Sequence, residues 1–463
     1  MNQNKSIAKR ILVAKSVAWV FLITSLLMLA YTYYRAEITF HGNRDVFYFK
    51  YYLISLAGIL FWGVVLRLTD EIKLNIEMVF VGLVVGLYLV EIALHFIAPI
   101  TAKGNSVLAA KEAGVEFDTR TRYRIYQDLM RKGVGIEISA RPNLLTKTGG
   151  LHKKGAETLF PFGGVSKKST VGDNESGKYE IFLSDRYGFN NPDSEWDSSQ
   201  IEWLLTGDSF AEGITVSPKE NISGQIRKIT SQSVISLGTS GNGPLIELAV
   251  LKEYAVSIKP NTVLWVYYEG NDLSSNLKEE KSSPILMRYL QPGFSQDLIK
   301  RQTEIDKRIR KFITEAEARA DILSNTKILR LYNIRTRMFA VDNDIDVDIE
   351  PLFTEILKKA RDLTVAWGGK FFFVYLPAFE RYATVVNNHD LYRKRSEVLD
   401  VVKSLNIPVI DIHNEVFKNH PDPLSLFPFR QMVHYNAEGY SEVAKAIVHG
   451  VRNEQQKHFE NEQ

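Results

Sequence analysis

A serine placed directly after an apolar run is the first feature that can do chemistry. Ile201-Glu-Trp-Leu-Leu-Thr206 runs straight into Gly207-Asp-Ser-Phe210. A hydroxyl set between a strand and a helix is exposed at the strand's end. Ser209 can there attack a carbonyl carbon, and its own N–H can face the oxyanion that forms. A base must take the hydroxyl proton. His434 lies in His434-Tyr-Asn-Ala-Glu-Gly439, just ahead of a helical stretch to Val448. A neutral imidazole there can act as that base. Asn271, in Glu269-Gly-Asn-Asp272, can donate its side-chain N–H to the same oxyanion. The glycines of Gly238-Thr-Ser-Gly241-Asn-Gly243 let backbone approach a ligand closely. Each pattern alone is also compatible with an ordinary turn.

The surrounding elements must bring these residues together. Five short apolar strands are expected at Ile201–Thr206, Ser233–Leu237, Thr262–Tyr268, Lys370–Leu376 and Ile407–Asp411. Helical patterns intervene at Glu220–Ile229, Leu245–Ser257, Pro351–Ala366 and Leu391–Leu405. This alternation predicts a mostly parallel sheet covered on both faces. Ligands bind such sheets beyond the carboxyl ends of the strands. Three of the four blocks follow the first three strands and the histidine block follows the fifth.

Taken in order, the blocks resemble those of the SGNH hydrolase superfamily, also called GDSL esterases, over residues 200–450. The four family letters fall on Ser209, Gly241, Asn271 and His434. The resemblance implies a flavodoxin-like three-layer α/β/α fold and acyl-ester chemistry without metal or cofactor. It implies Ser209 as nucleophile, His434 as base and then acid, and an oxyanion hole of the Ser209 N–H, the Gly241 N–H and the Asn271 side chain. The family usually has an aspartate three residues before the histidine, where this chain has Gln431. Glutamine can orient an imidazole but cannot stabilise its cation by charge. A Ser–His dyad, or recruitment of Asp411 or Asp422, are the readings this leaves.

Apolar residues concentrate before residue 100. Ser16–Tyr33, Tyr51–Leu66 and Met78–Ala98 are each close to the roughly 20 residues that cross a hydrocarbon layer. Three membrane helices are therefore expected. The short segments on the N-terminal side carry Lys5, Lys9, Arg10, Lys15, Arg67 and Lys73, against Arg35, Arg44 and Lys50 on the other. That excess predicts a multi-pass protein of the cytoplasmic (inner) membrane, with its N-terminus in the cytoplasm and its C-terminal part periplasmic or extracellular. Glu91 and His95 share a face of the third span, which favours a mutual hydrogen bond or a partner contact. Gly82 and Gly86 give a GxxxG spacing, a hint of close helix packing. The spans can also meet other membrane proteins.

The expected organisation is a membrane anchor over 1–100, a lead-in or cap with few regular elements over 101–200, and a hydrolase-like domain over 201–455. A helical insertion at about 274–345 reads as a lid or a surface helix pair. The chain has 463 residues, a net charge of +3 and no cysteine. This excludes a cysteine nucleophile, a thiolate metal site and a disulfide scaffold, and gives no support for nucleic-acid binding. The pattern of spans followed by these blocks resembles bacterial membrane-anchored SGNH proteins acting on cell-surface glycans. The expected activity is removal of an O-acyl group, acetyl first, from an envelope or secreted glycan. The alternatives are a glycan O-acyltransferase using the same residues, and a non-catalytic scaffold with a decayed site.

Overall fold

The computed structural model describes residues 2–39, 42, 45–97, 102–153, 155–338, 349, 351–383 and 392–461. The chain divides into two units. One comprises Met1–Ile100, Lys147–Gly149 and Ser324–Ala340; the other comprises Thr101–Thr146, Gly150–Leu323 and Val341–Gln463.

In the first unit, helices α1 (Asn2–Tyr33), α2 (Asp45–Val65) and α3 (Asp70–Ile97) pack together. Stretches in or near them, Ser16–Thr39, Tyr48–Val65 and Asp70–Phe96, are long and apolar enough to cross a membrane. Trp62 holds the three together. Its ring stacks on Phe21 at 4.7 Å and meets Phe80 edge-on at 4.9 Å. Most other apolar side chains point away from this seam, with Leu60 71% exposed. An apolar surface of that extent suits lipid and not water. A Cβ on Gly82 or Gly86 would meet nothing within 4 Å, so the GxxxG spacing marks no close helix contact among the described residues.

The second unit is built on a five-stranded parallel sheet. Its strands are β1 (Trp203–Gly207), β2 (Val234–Ser236), β3 (Thr262–Tyr268), β4 (Lys370–Leu376) and β5 (Val409–Asp411). Their spatial order is β2-β1-β3-β4-β5, all parallel. This is the flavodoxin-like arrangement. The central strand explains why. All seven residues of β3, Thr-Val-Leu-Trp-Val-Tyr-Tyr, are buried, as a strand covered on both faces requires. Successive side chains serve opposite layers. Val263, Trp265 and Tyr267 join one core, with Ile246 and Leu357 from the helices over that face. Leu264, Val266 and Tyr268 join the other, with Ile226 and Val443. Truncating a buried side chain such as Trp265 to alanine costs about 3–5 kcal/mol.

The lead-in is more regular than its composition suggests. Ser169–Val171 and Ile181–Leu183 form an antiparallel hairpin, and Ile136–Ile138 pairs in parallel on its outer edge. Residues 172–180 form the hairpin's tip. Part of the insertion is core. Helix Gln302–Asn325 buries Ile305, Ile309 and Ile313, one stripe at four-residue spacing, in the same cluster as Trp265.

Candidate active site

Strand β1 ends at Gly207, where a Cβ would stand 2.8 Å from the Val266 carbonyl oxygen on the neighbouring strand. Only glycine fits that close approach. Asp208 caps the next turn, its Oδ1 accepting from Phe210 N at 2.9 Å. Ser209 is thus the first residue of a one-turn helix, Ser209–Glu212, that ends at Gly213 with φ +65°. Ser209 is 9% exposed.

His434 reaches this serine from the far end of the chain. Helix Ala437–Asn461 is preceded by Asn436, whose Oδ1 accepts from Gly439 N at 2.9 Å. Tyr435 is fixed by its hydroxyl, which donates to Pro377 O at 2.8 Å. The imidazole of His434, which immediately precedes Tyr435, lies against the Phe210 ring, centroids 4.7 Å apart. Its Nε2 is 2.7 Å from Ser209 Oγ.

The other imidazole nitrogen identifies a residue that the sequence reading missed. His434 Nδ1 is 2.8 Å from Glu175 Oε1, and the His434 backbone N–H donates to Glu175 Oε2 at 2.9 Å. One carboxylate therefore grips both the ring and the main chain of the histidine. Glu175 comes from the hairpin tip in the lead-in. Asn174 shapes that tip by accepting from Gly177 N at 2.9 Å, and Gly177 takes φ +104°. The two aspartates considered as replacements are engaged elsewhere. Asp411 pairs with Arg395 and accepts from Asn414 Nδ2, while Asp422 pairs with Arg430. Gln431, at the family's usual acid position, is exposed. The missing charge is thus supplied from 259 residues away in sequence. The only sequence signal for it was the need itself: a non-acidic residue where an acid belongs.

Charge sets the histidine's proton affinity. Burial opposes the cation. The Glu175 carboxylate overcomes this, with Asp208 and Asp173 adding to it, and the imidazole is pushed up from 6.5 to about 9. Asp173, two residues before Glu175, is held below the ordinary carboxylate range despite burial, because Arg141 and Arg122 neutralise it.

The two remaining candidates flank the serine turn. Gly241 has φ +80°, which glycine adopts without strain. A Cβ there would lie 2.3 Å from Asn143 Nδ2, so the lead-in also walls this turn. Glu212 braces it, its Oε2 accepting from Ser240 N at 2.6 Å and Ser240 Oγ at 2.7 Å. Burial pushes the Glu212 carboxyl up to about 7 against those hydrogen bonds. Glu280, from the insertion, accepts from Gly243 N at 2.6 Å on the turn's other side. Asn271 follows β3, and its Nδ2 is 3.3 Å from Asp208 Oδ2. The structure thus connects Ser209, His434 and Asn271 through Asp208 and the 2.7 Å contact, with Gly241 on the braced turn after β2. Glu269, beside Asn271, has a different task. It is fully buried against Arg381 and accepts from Ala378 N at 2.6 Å, tying the ends of β3 and β4 together.

No family profile matches the chain, and no curated protein matches it either. Among solved structures, it is similar to a protein assigned to the G-D-S-L lipolytic family from Desulfitobacterium hafniense. That match has 13% identity and TM-score 0.32, covering 54% of this chain and 99% of the other. A lipase/acylhydrolase from Enterococcus faecalis gives 14% identity and TM-score 0.32, covering 55% and 97%. The acetyl xylan esterase AlAXEase gives 13% and 0.30, covering 54% and 100%. The fold assignment itself rests on the strand order, and the site on its distances.

Proposed function

We propose that this chain is a membrane-anchored serine hydrolase that removes O-acyl groups, acetyl first, from an envelope or secreted glycan. The observation that carries the reading is the continuous relay Ser209 Oγ–His434 Nε2 at 2.7 Å and His434 Nδ1–Glu175 Oε1 at 2.8 Å. In this reading His434 takes the Ser209 proton as the hydroxyl attacks the acyl carbon. Glu175 holds the imidazole in the tautomer with hydrogen on Nδ1 and stabilises the cation that forms. The Ser209 N–H, the Gly241 N–H and Asn271 Nδ2 stabilise the tetrahedral oxyanion. His434 then protonates the leaving sugar oxygen, and water repeats the cycle on the acyl-enzyme. The three apolar helices keep the chain in the cytoplasmic membrane, with the site on the outer side. The acetyl preference and the glycan draw support from the resemblance stated above.

The test uses the full chain in lipid nanodiscs with an aryl acetate and with acetylated xylo-oligosaccharides. The expected result is free acetate from both, and none from the Ser209→Ala variant. Acetate release that survives Ser209→Ala would overturn the serine mechanism. Hydrolysis of the aryl acetate alone would overturn the glycan assignment for that substrate.

A further inference from the structure

We infer that residues 324–338 are a membrane-interface element, seated in the outer leaflet with anionic lipid headgroups as its partner. This rests on the membrane spans proposed above and is independent of the ester chemistry.

The starting point is Glu91. From Met78 to Ile97 the third span has twenty residues and a single acidic or basic-cation side chain, Glu91. A carboxylate in such a setting needs partners, because hydrocarbon supplies none. Glu91 makes no hydrogen bond to His95 among the described contacts. Its Oε1 accepts from Asn333 N at 2.9 Å and Asn333 Nδ2 at 3.0 Å, and its Oε2 accepts from Ile334 N at 2.9 Å. The side chain is fully buried by them. Nearly one turn further along the span, Tyr88 donates its hydroxyl to Leu329 O at 3.0 Å.

These contacts fix a depth. At 1.5 Å per residue, Glu91 lies about 9 Å and Tyr88 about 13 Å below Ile97. The backbone from Leu329 to Ile334 is therefore level with the outer part of the span. Irregular backbone survives at that level only if its polar groups are paired within the protein. Here Leu331 N donates to Ile328 O at 3.0 Å, Tyr332 N to Lys327 O at 3.1 Å and Arg335 N to Leu331 O at 2.9 Å.

The surface of the element is two-natured. Leu329 is 70% exposed at this depth, where the medium is acyl chain. Residues 324–341 contain Lys327, Arg330, Arg335 and Arg337 and no acidic residue. Lys327 Nζ lies over the Tyr332 ring at 5.2 Å, Arg335 Nη1 donates to Arg330 O at 3.4 Å and Arg337 Nη1 to Asn333 O at 3.3 Å. Long cationic side chains of this kind can reach from an apolar level to headgroups, and a guanidinium keeps further N–H groups for phosphate. These cations follow a long translocated stretch, which the charge rule for short loops does not govern. Apolar exposure at depth together with four cations and no anion fits a phospholipid of net negative charge.

The chain has no cysteine, so one substitution gives one label. Leu329→Cys in the full chain carries a nitroxide, at one chain per nanodisc, and its collision rates with oxygen and with a neutral nickel chelate are compared. Leu60→Cys reports the span itself, and Lys311→Cys, on a side chain 79% exposed, reports water. The expected result is a Leu329 label that follows Leu60, with oxygen favoured at least several-fold over the Lys311 label. Its ratio should be higher in phosphatidylglycerol than in phosphatidylcholine, and the joint change of the four cations to glutamine should remove that difference. Glu91→Leu should move the label toward the Lys311 value while leaving Leu60 unchanged. A Leu329 label that follows Lys311 while Leu60 stays in lipid overturns the inference and leaves the spans standing. An aqueous Leu60 label overturns both. Equal ratios in the two lipids overturn the headgroup assignment.

Discussion

Two glutamates in different regions of the molecule show how a partner's chemistry decides what a carboxylate does. Glu175 is 14% exposed and binds one histidine twice, through Nδ1 and the backbone N–H. Glu91 is fully buried and binds three N–H groups of Asn333 and Ile334. Both are well satisfied. The difference is that imidazole exchanges a proton near neutral pH and an amide does not. The charge of Glu175 therefore raises the proton affinity of His434, whose Nε2 is 2.7 Å from Ser209 Oγ. The hydrogen bonds of Glu91 can only hold backbone in place.

The first way to break this comparison is at its catalytic end. Ser209→Ala or His434→Ala should each lower kcat by at least about 10⁴, measured as aryl acetate turnover, because either one disables the relay. Residual turnover within tenfold of wild type would remove the relay from the account.

Glu175→Gln should lower kcat by about 10²–10⁴, as for a triad acid made neutral with its shape kept. The pH profile sharpens the point. His434 is a base only when neutral, and its proton is held to about 9. Wild-type kcat/KM should therefore rise from neutral pH toward about 9, and Glu175→Gln should move that limb down toward the ordinary 6.5. Folding stability runs the other way. A proton held more tightly in the folded state stabilises it fully below the unfolded value and is lost as pH rises through about 9. Thermal unfolding at pH 6 and pH 9.5 should show the wild type losing more Tm than Glu175→Gln.

Asn271→Ala should cost about 10²–10³ in kcat, the usual loss for one oxyanion donor, with little change in the pH limb. A shifted limb would mean that Asn271 acts on His434 through Asp208 instead. At the small end, Glu91→Gln should leave kcat within about twofold of wild type, since it touches no reacting group. A large loss of kcat there would show that the contrast between the two carboxylates is drawn in the wrong place.

The sheet was legible because its strands are covered on both faces and so read as continuous apolar runs. Thr262–Tyr268 and Lys370–Leu376 are found as expected from residue types alone. β2 and β5 are each shorter than expected, at three residues, because only Val234–Ser236 and Val409–Asp411 pair in the sheet. Ser209, Gly241, Asn271 and His434 stand out as candidates because each sits in a local pattern at a strand end or helix start, and Ser209 Oγ and His434 Nε2 are 2.7 Å apart. Glu175 has no such pattern. It occupies a polar hairpin tip, Asp173-Asn-Glu-Ser-Gly177, that reads as an ordinary turn, and its meaning lies in a contact between distant segments. The replacement acids expected from sequence, Asp411 at the end of the fifth strand and Asp422, are both taken by arginines. The same limit hid the partner of Glu91, which lies 242 residues further along the chain.

The most direct test of the central claim, that Glu175 completes the relay, compares Glu175→Gln with Gln431→Ala in the full chain. The quantity is the second-order rate of Ser209 labelling by a fluorophosphonate. The account predicts a fall of about 10²–10⁴ for Glu175→Gln and a change within about twofold for Gln431→Ala. A Glu175→Gln variant that labels like wild type, with Gln431→Ala the slow one, would contradict it.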